Sequence, residues 1–376
     1  MRVLIAGGGT GGHFYPALAI MEELTKRKSR VKLAYVGTKR GIEARILPSY
    51  PWITFFPIHV RGLERGNVIQ NLQSLLLLVV SFMETLLVLL RFRPQVVIGM
   101  GGYASFPAVF IASLLGKVLP MRTVIHEQNA VAGLTNKILA RFVDKVLISY
   151  PQTKEQFASA RNIVTTGNPI RSEFLLAKRT RAAYERFGLS PQKRTVLVFG
   201  GSNGSLSITN AIRQARSEIA RQNDMQVLLV TGGSIDSSII ESELARAGIT
   251  NIVVKSYIER MGEAFAIADL IVSRAGATTL AEITSCGKPA LLIPWGGATD
   301  GHQWENARVL NEERACTIVG ESDILDRRLA RLIEQMVKDE QGLNLMAQNS
   351  MRLGSRHAAA SMLGEIMVLV DGGVRT

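Results

Sequence analysis

Two glycine-rich segments of this sequence have the composition of turns that approach a ligand closely. Residues 7–12 (GGGTGG) follow a short apolar run, and the similar residues 200–205 (GGSNGS) follow another. Glycine lets the backbone approach a ligand, and the N–H groups at the start of a helix favour an anion such as a pyrophosphate. For residues 7–12 we therefore predict an anion site, with a tight strand-to-helix turn as the alternative.

The pattern Gly7-x-Gly9-x-x-Gly12 also matches the fingerprint of dinucleotide-binding proteins. That fingerprint requires an acidic residue near the end of the second strand to bind the ribose, and the second apolar run ends in Gly37-Thr38. A P-loop requires Lys and then Ser or Thr after the last glycine, where this chain has His13 and Phe14. The sequence therefore favours neither a nicotinamide or flavin cofactor nor a P-loop nucleotide site.

His13, directly after the first turn, is a candidate general base. An imidazole at that position would project toward a ligand with a pKa close to working pH. A structural histidine at the start of a helix is the alternative. Residues 99–105 and 126–129 also follow predicted strands and carry glycine or polar side chains, so we expect them to form a wide binding surface with the first turn.

The second half of the chain carries residues suited to a nucleotide sugar. Residues 273–282 (SRAGATTLAE) begin at a predicted strand end, and their small residues let a diphosphate approach the backbone. Glu282 can accept hydrogen bonds from two ribose hydroxyls, and favourable helix electrostatics is its alternative role. Further along, His302, Gln303 and Asn306 offer the donors and acceptors that sugar hydroxyls need.

Short β-branched runs alternate with helical patterns along all 376 residues, which predicts the α/β class with parallel sheets. The glycine-rich turns begin this pattern twice, and the length fits two domains. We therefore predict two doubly wound, Rossmann-like domains that face each other across a cleft, with ligands outside the carboxyl ends of the strands. The junction is placed near residues 167–171, where Pro169 interrupts regular structure.

Composition limits the remaining classes. There are 44 Lys and Arg against 31 Asp and Glu, and the net charge of +13 predicts an anionic membrane surface or substrate. Nucleic acid is not expected, because aromatic residues are only 6% and no zinc-finger or RNP-like motif occurs. With only Cys286 and Cys316, and no Asp-x-Asp, neither a disulfide framework nor a metal site is indicated, so leaving-group charge would fall to helix N-termini and Arg171. The first apolar run is too short for a signal peptide, so we expect a cytoplasmic location.

One mostly apolar segment, residues 67–90, stands apart. Its core, residues 75–90, is shorter than the roughly 20 residues of a spanning helix and contains an acidic residue. Polar residues recur at helical spacing and form one narrow stripe: Asn67, Gln70, Asn71, Ser74, Ser81, Glu84 and Thr85. Four arginines flank the segment: Arg61, Arg65, Arg91 and Arg93. We expect either a buried crossover helix or a helix that dips into an anionic membrane surface.

Seven short motifs follow one another along the chain. They are GGGTGGH (7–13), GMGGYASFP (99–107), HEQN (126–129), GNPIR (167–171), GGSNGS (200–205), SRAGATTLAE (273–282) and HQWENA (302–307). In this order they resemble the MurG family of bacterial N-acetylglucosaminyltransferases. Each motif alone is modest, whereas seven in register over nearly the whole chain are highly specific.

The resemblance implies the GT-B fold and an inverting reaction without metal or cofactor. It implies an acceptor-binding and membrane-associating domain (1–166), a domain that binds UDP-N-acetylglucosamine (167–355) and a C-terminal helix that returns to the first domain (356–376). The implied reaction transfers N-acetylglucosamine to the 4-hydroxyl of undecaprenyl-pyrophosphoryl-MurNAc-pentapeptide in peptidoglycan synthesis. The implied location is the cytoplasmic face of the inner membrane, as a peripheral protein, with an anionic membrane surface and other cell-wall synthesis proteins as partners.

Matching positions also imply roles for single residues. His13 corresponds to the base that deprotonates the acceptor hydroxyl, with Asn129 as a second catalytic residue. Arg171 and Ser202 correspond to donor phosphate contacts, and the Ile258 backbone to a uracil contact. The other implied substrate-binding residues are Thr10, Gly11 and Gly12 in the first turn, Tyr103 and Asn129 near the acceptor or sugar, Thr278 and Thr279 beside the diphosphate, Glu282 at the ribose, and His302, Gln303 and Asn306 at the sugar.

The chain departs from the family pattern at two positions. Asn203 stands where the family has Gln, and Gly301 stands where an Asp often precedes the His-Gln pair. Neither change removes a catalytic group. The alternatives are another GT-B lipid glycosyltransferase, a UDP-N-acetylglucosamine epimerase, and a non-catalytic nucleotide-sugar-binding scaffold at the membrane.

Overall fold

The computed structural model describes residues 1–27, 30–62, 68–202, 204–233, 235–298, 301–325 and 327–372, with backbone only for residues 68–72. Asn203, Arg65 and Asn67 lie outside the described residues, as do the side chains of Gln70 and Asn71. The chain forms two compact units, Met1–Arg171 with His357–Thr376, and Ser172–Arg356.

The first unit is built on a parallel sheet with the strand order β3-β2-β1-β4-β5-β6-β7. Its strands are β1 (Arg2–Ala6), β2 (Lys32–Thr38), β3 (Ile53–Ile58), β4 (Val96–Gly99), β5 (Arg122–Glu127), β6 (Lys145–Ile148) and β7 (Ile163–Thr165). Its helices are α1 (Gly11–Arg27), α2 (Ile42–Ile46), α3 (Val68–Phe92), α4 (Ser105–Leu115), α5 (Leu134–Leu139) and the last helix α16 (Ala358–Asp371), with 3-10 turns at Leu47–Ser49 and Pro151–Phe157. The central strands are apolar without alternation because helices cover both faces of the sheet.

The second unit repeats the design with the strand order β10-β9-β8-β11-β12-β13, again parallel. Its strands are β8 (Arg194–Phe199), β9 (Met225–Val230), β10 (Ile252–Lys255), β11 (Leu270–Ser273), β12 (Ala290–Leu292) and β13 (Thr317–Ile318). Its helices are α6 (Ser172–Leu176), α7 (Arg181–Phe187), α8 (Leu206–Gln214), α9 (Arg216–Ala220), α10 (Ser237–Arg246), α11 (Met261–Ile267), α12 (Ala277–Ser285), α13 (His302–Glu312), α14 (Arg328–Lys338) and α15 (Glu340–Leu353). The prediction of an α/β protein with two doubly wound parallel sheets is confirmed.

The boundary between the units follows Arg171, whereas the sequence predicts that the second domain begins at residue 167. The reason lies in hydrogen bonds at Gly167. Its N–H donates to Ile148 O at 3.3 Å, and its carbonyl accepts from His126 Nε2 at 3.1 Å. These bonds attach residues 167–171 to strands β5 and β6 of the first unit.

The last helix, α16, completes the first unit. Met362, Leu363 and Ile366 are buried in the core cluster that also contains α1. Lys145 Nζ, on β6, donates to the Glu365 carboxylate at 2.7 Å and to the Glu365 carbonyl at 3.2 Å. The chain therefore leaves the first unit at Arg171 and returns to it at His357.

Helix α3 has the reverse of the usual amphipathic arrangement. Its polar residues Ser74, Ser81 and Thr85 are 0–3% exposed and face the unit. Leu89 is buried in the core, whereas seven other apolar residues of the helix are 45–65% exposed: Leu75, Leu76, Val79, Val80, Met83, Leu87 and Leu90. Within it, Gln73–Phe92 is long and apolar enough to cross a membrane, by length and composition alone. The exposed apolar face disfavours the buried crossover helix that the sequence left open.

Candidate functional site

The first turn, residues 7–12, lies where β1 ends and α1 begins. Because β4 and β5 run parallel to β1 in the same sheet, the loops that follow these strands meet at one edge. This edge carries most of the residues that the sequence assigns to the acceptor side. Thr10 and Gly12 are exposed, Gly11 is buried, and His13 is half-buried at the first turn of α1.

His13 is held by the turn that precedes it. Its Nδ1 lies 3.3 Å from Gly8 O and 3.3 Å from Thr10 Oγ1. A carbonyl oxygen only accepts, so the bond to Gly8 O requires the proton on Nδ1. In the neutral ring, Nε2 then carries the lone pair that can accept a proton.

Two glycines after β4 make room for the His13 ring. Gly101 and Gly102 have φ angles of +90° and +76°, which L side chains rarely adopt. A Cβ at Gly101 would lie 3.1 Å from His13 Nε2, and one at Gly102 would lie 2.9 Å from Gly8 O. Both the backbone conformation and the space therefore require glycine at these positions.

Glu43, at the start of α2, supports the first turn from inside. It is fully buried and accepts hydrogen bonds from Thr38 N at 2.7 Å, Thr38 Oγ1 at 2.8 Å and Gly9 N at 3.3 Å. The Gly9 N–H, which the sequence predicts to be available to an external anion, therefore donates to a carboxylate of the protein itself. Glu43 is not among the predicted site residues, because the dinucleotide fingerprint requires its carboxylate at the end of β2 and Glu43 lies beyond Thr38, where that strand ends. The spacing Gly37-Thr38-x-x-Gly41-x-Glu43 is the available signal.

The segment 126–129 is mostly structural. His126, Glu127 and Gln128 are 0–2% exposed. Glu127 accepts from Asn129 N at 3.0 Å and from Asn136 Nδ2 at 2.8 Å, and Gln128 Nε2 donates to Met100 O at 2.9 Å. The expectation that the whole segment lines a ligand is therefore wrong, since burial leaves only Asn129 accessible.

Burial also decides the charge of His126. It lowers the pKa of this imidazole from 6.5 to about 4, because a charged ring would lose its hydration. His126 is therefore neutral at physiological pH and serves as a hydrogen-bonding part of the core.

Tyr103 directly follows the Gly101–Gly102 turn, and Arg171 lies beside helix α1. Tyr103 is 52% exposed, and its ring packs against Gly62, where a Cβ would lie 2.1 Å from ring atom Cε2. The Arg171 guanidinium lies 4.3 Å from the centre of the Tyr15 ring on α1. Arg171, predicted as a donor phosphate contact, thus belongs to the first unit.

The second site lies at the carboxyl ends of β8 and β11. Gly201 and Gly204 have φ angles of +88° and +78°, and Ser205 caps α8 by accepting from Ile208 N at 3.4 Å. Ser202 is exposed in this turn. On α12, Thr278 and Glu282 are 7% and 6% exposed.

The remaining predicted residues of the second unit are distributed around this edge. Thr279 and His302 are half-buried, and Ile258, in the loop after β10, is 8% exposed. Gly301 precedes α13 with a φ angle of +67°, a conformation that an Asp would adopt less readily.

Gln303 and Asn306 hold neighbouring loops together. Gln303 Oε1 accepts from Trp295 N at 3.0 Å and from Ala275 N at 3.3 Å. Asn306 is fully buried, and its Nδ2 donates to Ala275 O at 3.3 Å. Because its acceptor is already bonded, Gln303 has the donor hydrogens of Nε2 to offer a sugar hydroxyl.

Arg274, to which the sequence assigns no role, connects three segments of the second unit: helix α8, the residue after β12 and the turn that contains Glu321. Its Nη2 pairs with the Glu321 carboxylate and lies 2.9 Å from Ser207 Oγ on α8, and its Nη1 donates to Ile293 O at 3.1 Å. The guanidinium is nearly buried, so these bonds are protected from water. Among the described residues, no group of three or more His, Cys, Asp or Glu side chains is arranged to hold a metal ion.

Known proteins resemble this chain along nearly its whole length. The glycosyltransferase family 28 N-terminal domain matches residues 3–148, and the corresponding C-terminal domain matches residues 195–362. A protein of Desulforamulus reducens is 40% identical over 370 residues, covering 96% of this chain and 97% of that protein. One of Bacillus subtilis is 37% identical over 362 residues, covering 96% and 98%.

Both relatives are named UDP-N-acetylglucosamine–N-acetylmuramyl-(pentapeptide) pyrophosphoryl-undecaprenol N-acetylglucosamine transferase. Among solved structures, the crystal structure of Acinetobacter baumannii MurG is similar to this chain with a TM-score of 0.74 and 27% identity. That match covers 97% of this chain and 99% of the other.

Proposed function

Because the chain belongs to the family of UDP-N-acetylglucosamine–N-acetylmuramyl-(pentapeptide) pyrophosphoryl-undecaprenol N-acetylglucosamine transferases, we propose that its first unit binds the acceptor and its second unit the donor. The chain is a GT-B N-acetylglucosaminyltransferase of peptidoglycan synthesis. It transfers N-acetylglucosamine from UDP-N-acetylglucosamine to the N-acetylmuramyl-pentapeptide that is linked through pyrophosphate to undecaprenol. The observation that carries the division of labour is His13, whose Nδ1 faces Gly8 O and whose Nε2 is thereby left as a proton acceptor.

In the proposed mechanism His13 is the general base. The acceptor's 4-hydroxyl oxygen attacks the anomeric carbon, its proton passes to Nε2, and the bond from that carbon to the UDP oxygen breaks with its electron pair remaining on UDP. A single displacement of this kind inverts the anomeric configuration. A positioned base contributes about 10²- to 10⁴-fold, and positioning of the two substrates with stabilisation of the leaving diphosphate contributes the rest.

The donor contacts are assigned from the second site. Glu282 accepts from the ribose hydroxyls, and the backbone of Ile258 pairs with uracil. Exposed or half-buried side chains near the turns, Ser202 and Thr279, are assigned to the diphosphate with Thr278, while Gln303 Nε2 donates to the sugar. Arg171, a residue of the first unit, is assigned to the donor phosphate from the family resemblance alone. His302 and Asn306 border the same region, Asn306 through its support of Ala275. Asn129 and Tyr103 are assigned to the acceptor, with Thr10, Gly11 and Gly12 beside its pyrophosphate.

The apolar face of α3 is proposed to bring the enzyme to its lipid substrate. This face is exposed in the first unit, and Arg61, Arg91 and Arg93 are exposed around it. Apolar side chains that enter the headgroup region, surrounded by cations, are typical of peripheral binding to anionic lipid. On this basis we propose peripheral binding to an anionic membrane surface, and we assign the cytoplasmic face of the inner membrane from the family resemblance.

The test uses labelled UDP-N-acetylglucosamine and a water-soluble analogue of the lipid acceptor. We expect His13→Ala to lower kcat by about 10²-fold or more while KM for the donor stays within about twofold, because the base acts only in the transition state. We expect Glu282→Ala to raise KM for the donor about tenfold or more, because it removes hydrogen bonds to a charged acceptor. Product formation is measured by separation of the labelled acceptor product from labelled nucleotide sugar.

Two results would contradict this assignment. Unchanged turnover of His13→Ala would contradict the assignment of His13 as the base. An unchanged donor KM in Glu282→Ala would contradict the assignment of Glu282 to the ribose. Conversion of UDP-N-acetylglucosamine in the absence of acceptor would instead indicate an epimerase.

A further inference from the structure

One peptide group joins Glu43 to His13. The Gly9 N–H donates to both oxygens of the Glu43 carboxylate at 3.3 Å, and the Gly8 carbonyl lies 3.3 Å from His13 Nδ1. Gly8 O and Gly9 N belong to the same peptide bond. The carboxylate and the imidazole are therefore bonded to opposite ends of one planar, polar group.

The surroundings are shaped to keep the carboxylate in this position. A Cβ at Gly8, Gly37 or Gly41 would lie 2.8, 2.7 or 2.2 Å from an atom of the Glu43 side chain. Thr38 contributes two further hydrogen bonds, from N and Oγ1. Side chains larger than hydrogen at these three glycines would displace Glu43, so the pocket holds this carboxylate in one orientation.

A negative charge at the N–H end of a peptide polarises it, and the carbonyl oxygen at the other end becomes a stronger acceptor. A stronger acceptor opposite Nδ1–H stabilises the imidazolium form of His13 and fixes the tautomer with the lone pair on Nε2. Low local dielectric increases the effect, because Glu43 is fully buried.

Two other titratable side chains near this arrangement, Tyr35 and His126, have pKa values outside the range between pH 5 and 8. The Tyr35 phenol, on β2 beside Glu43, has its pKa raised well above 10 by burial and by the charge of Glu43. The pKa of His126, on β5, is lowered to about 4. The loop after β4 contributes Gly101 and Gly102 at the ring, and Arg171 stacks on Tyr15 further along α1.

We propose that Glu43 is a positioning residue for the reaction, acting on the base His13 through the Gly8–Gly9 peptide. It does the work that a carboxylate does when it bonds directly to a catalytic histidine, with one peptide group in between. The proposal rests on the proposed function only in assigning His13 as the base. The bonded series from Glu43 to His13 is independent of that assignment.

The experiment is a pH titration of His13 by ¹⁵N and ¹H NMR in the full chain, together with the pH profile of kcat/KM. In Glu43→Gln we expect the His13 pKa, and with it the acid limb of activity, to move to lower pH. The shift should be about 0.5–1 unit, a fraction of the 1–3 units that an adjacent charge gives. Maximal turnover should fall by about tenfold, and KM for UDP-N-acetylglucosamine should not change. Glu43→Asp keeps the charge, so its limb should stay near the wild-type position while its turnover falls.

Asp144→Asn is the matched control. Asp144 accepts from Thr123 N at 2.8 Å and from Thr123 Oγ1 at 2.9 Å, as Glu43 does from Thr38, but it lies at the amino ends of the strands, away from His13. Loss of this carboxylate should lower stability without moving the His13 titration.

An unchanged His13 pKa in folded Glu43→Gln would overturn the proposal, as would an equal shift in Asp144→Asn. If Glu43→Gln does not fold, ¹⁵N shifts of the wild-type ring decide instead, since a proton on Nε2 and none on Nδ1 contradicts the proposal. If the His13 pKa shifts in Glu43→Gln but His13→Ala turns over normally, the hydrogen-bonded series from Glu43 to His13 is supported and the role of His13 as the base is contradicted. If His13→Ala is inactive but the His13 pKa does not shift in Glu43→Gln, the base is supported and the positioning role of Glu43 is contradicted.

Discussion

His126 illustrates how burial changes what a residue contributes. Its folded pKa is about 4, and the imidazole of an unfolded chain titrates near 6.5. Between these values the unfolded chain binds a proton that the folded chain does not, so stability decreases as the pH falls. The contribution is complete above pH 6.5 and is lost progressively down to pH 4.

We therefore expect the titration of His126 to lower the free energy of unfolding by about 2 kcal/mol as the pH falls from 7 to 5, at about 1.4 kcal/mol per pKa unit. His126→Gln keeps an amide donor near Gly167 O but has no titrating group, so this part of the pH dependence should disappear. Urea unfolding at the two pH values measures it, with the exposed His357→Gln as control. Full retention of the pH dependence in His126→Gln would contradict the assignment.

His13 and Glu43 show how much of the candidate site single residues of the sequence predict. The position of His13 at the start of α1 is predictable, because it directly follows a glycine-rich turn after an apolar strand; its role as a base stays a prediction. The position of Glu43 is not predictable, because its partners Gly9 and Thr38 belong to two different strand ends that only the sheet brings together. The error on residues 126–129 has the same origin, since polar side chains at a strand end can bond to their own loops as well as to a ligand.

Helix α3 turns its polar residues toward the first unit and exposes an apolar face, and hydrogen bonds of the polar residues explain this orientation. Its carboxylate Glu84 accepts from His59 N at 2.7 Å and faces His59 Nδ1 at 2.5 Å, and Ser74 Oγ donates to Gly62 O at 3.1 Å. The polar stripe is thus occupied by the end of β3 and the residues that follow it. This leaves the apolar face of α3 to the outside, where lipid can cover it.

We expect the double substitution Leu76→Glu with Leu87→Glu to reduce flotation with phosphatidylglycerol-containing vesicles by about tenfold or more. The two leucines are 64% and 65% exposed, and each buried leucine contributes roughly 1.5–3 kcal/mol. The matched control is Ile239→Glu with Leu345→Glu, at 51% and 52% exposure in the second unit. Undiminished flotation of the α3 variant would exclude this helix as the lipid-binding element.

Element types were predictable, and element orientation was not. Glycine-bounded apolar runs identify strands such as β1 and β8, because both faces of a parallel sheet are buried and the residues need not alternate. For α3, the helical spacing of its polar residues predicts a stripe, but a stripe has the same period whether it faces water or the core. Only the position of β3 decides between them.

The course of the chain makes the first unit depend on the last helix. Its core cluster includes Met362, Leu363 and Ile366, all 0–2% exposed. In the sequence, residues 172–356 separate these three from the rest of the unit. The Lys145 side chain is 5% exposed and pairs with Glu365. During synthesis, the first unit therefore lacks part of its core until the second unit has been made.

Truncation after Arg356 should consequently destabilise one unit and spare the other. Three buried apolar side chains at roughly 2 kcal/mol each give a loss on the order of 5 kcal/mol for the first unit, and removal of Glu365 also leaves the Lys145 ammonium buried without its carboxylate. Thermal unfolding should then separate into two transitions, and limited proteolysis should degrade residues 1–171 while residues 172–356 survive. Truncation after Gly372, which keeps α16, is the matched control and should unfold as the full chain does. Equal loss of stability in both units, or none in the first, would show that α16 is not part of the first unit's core.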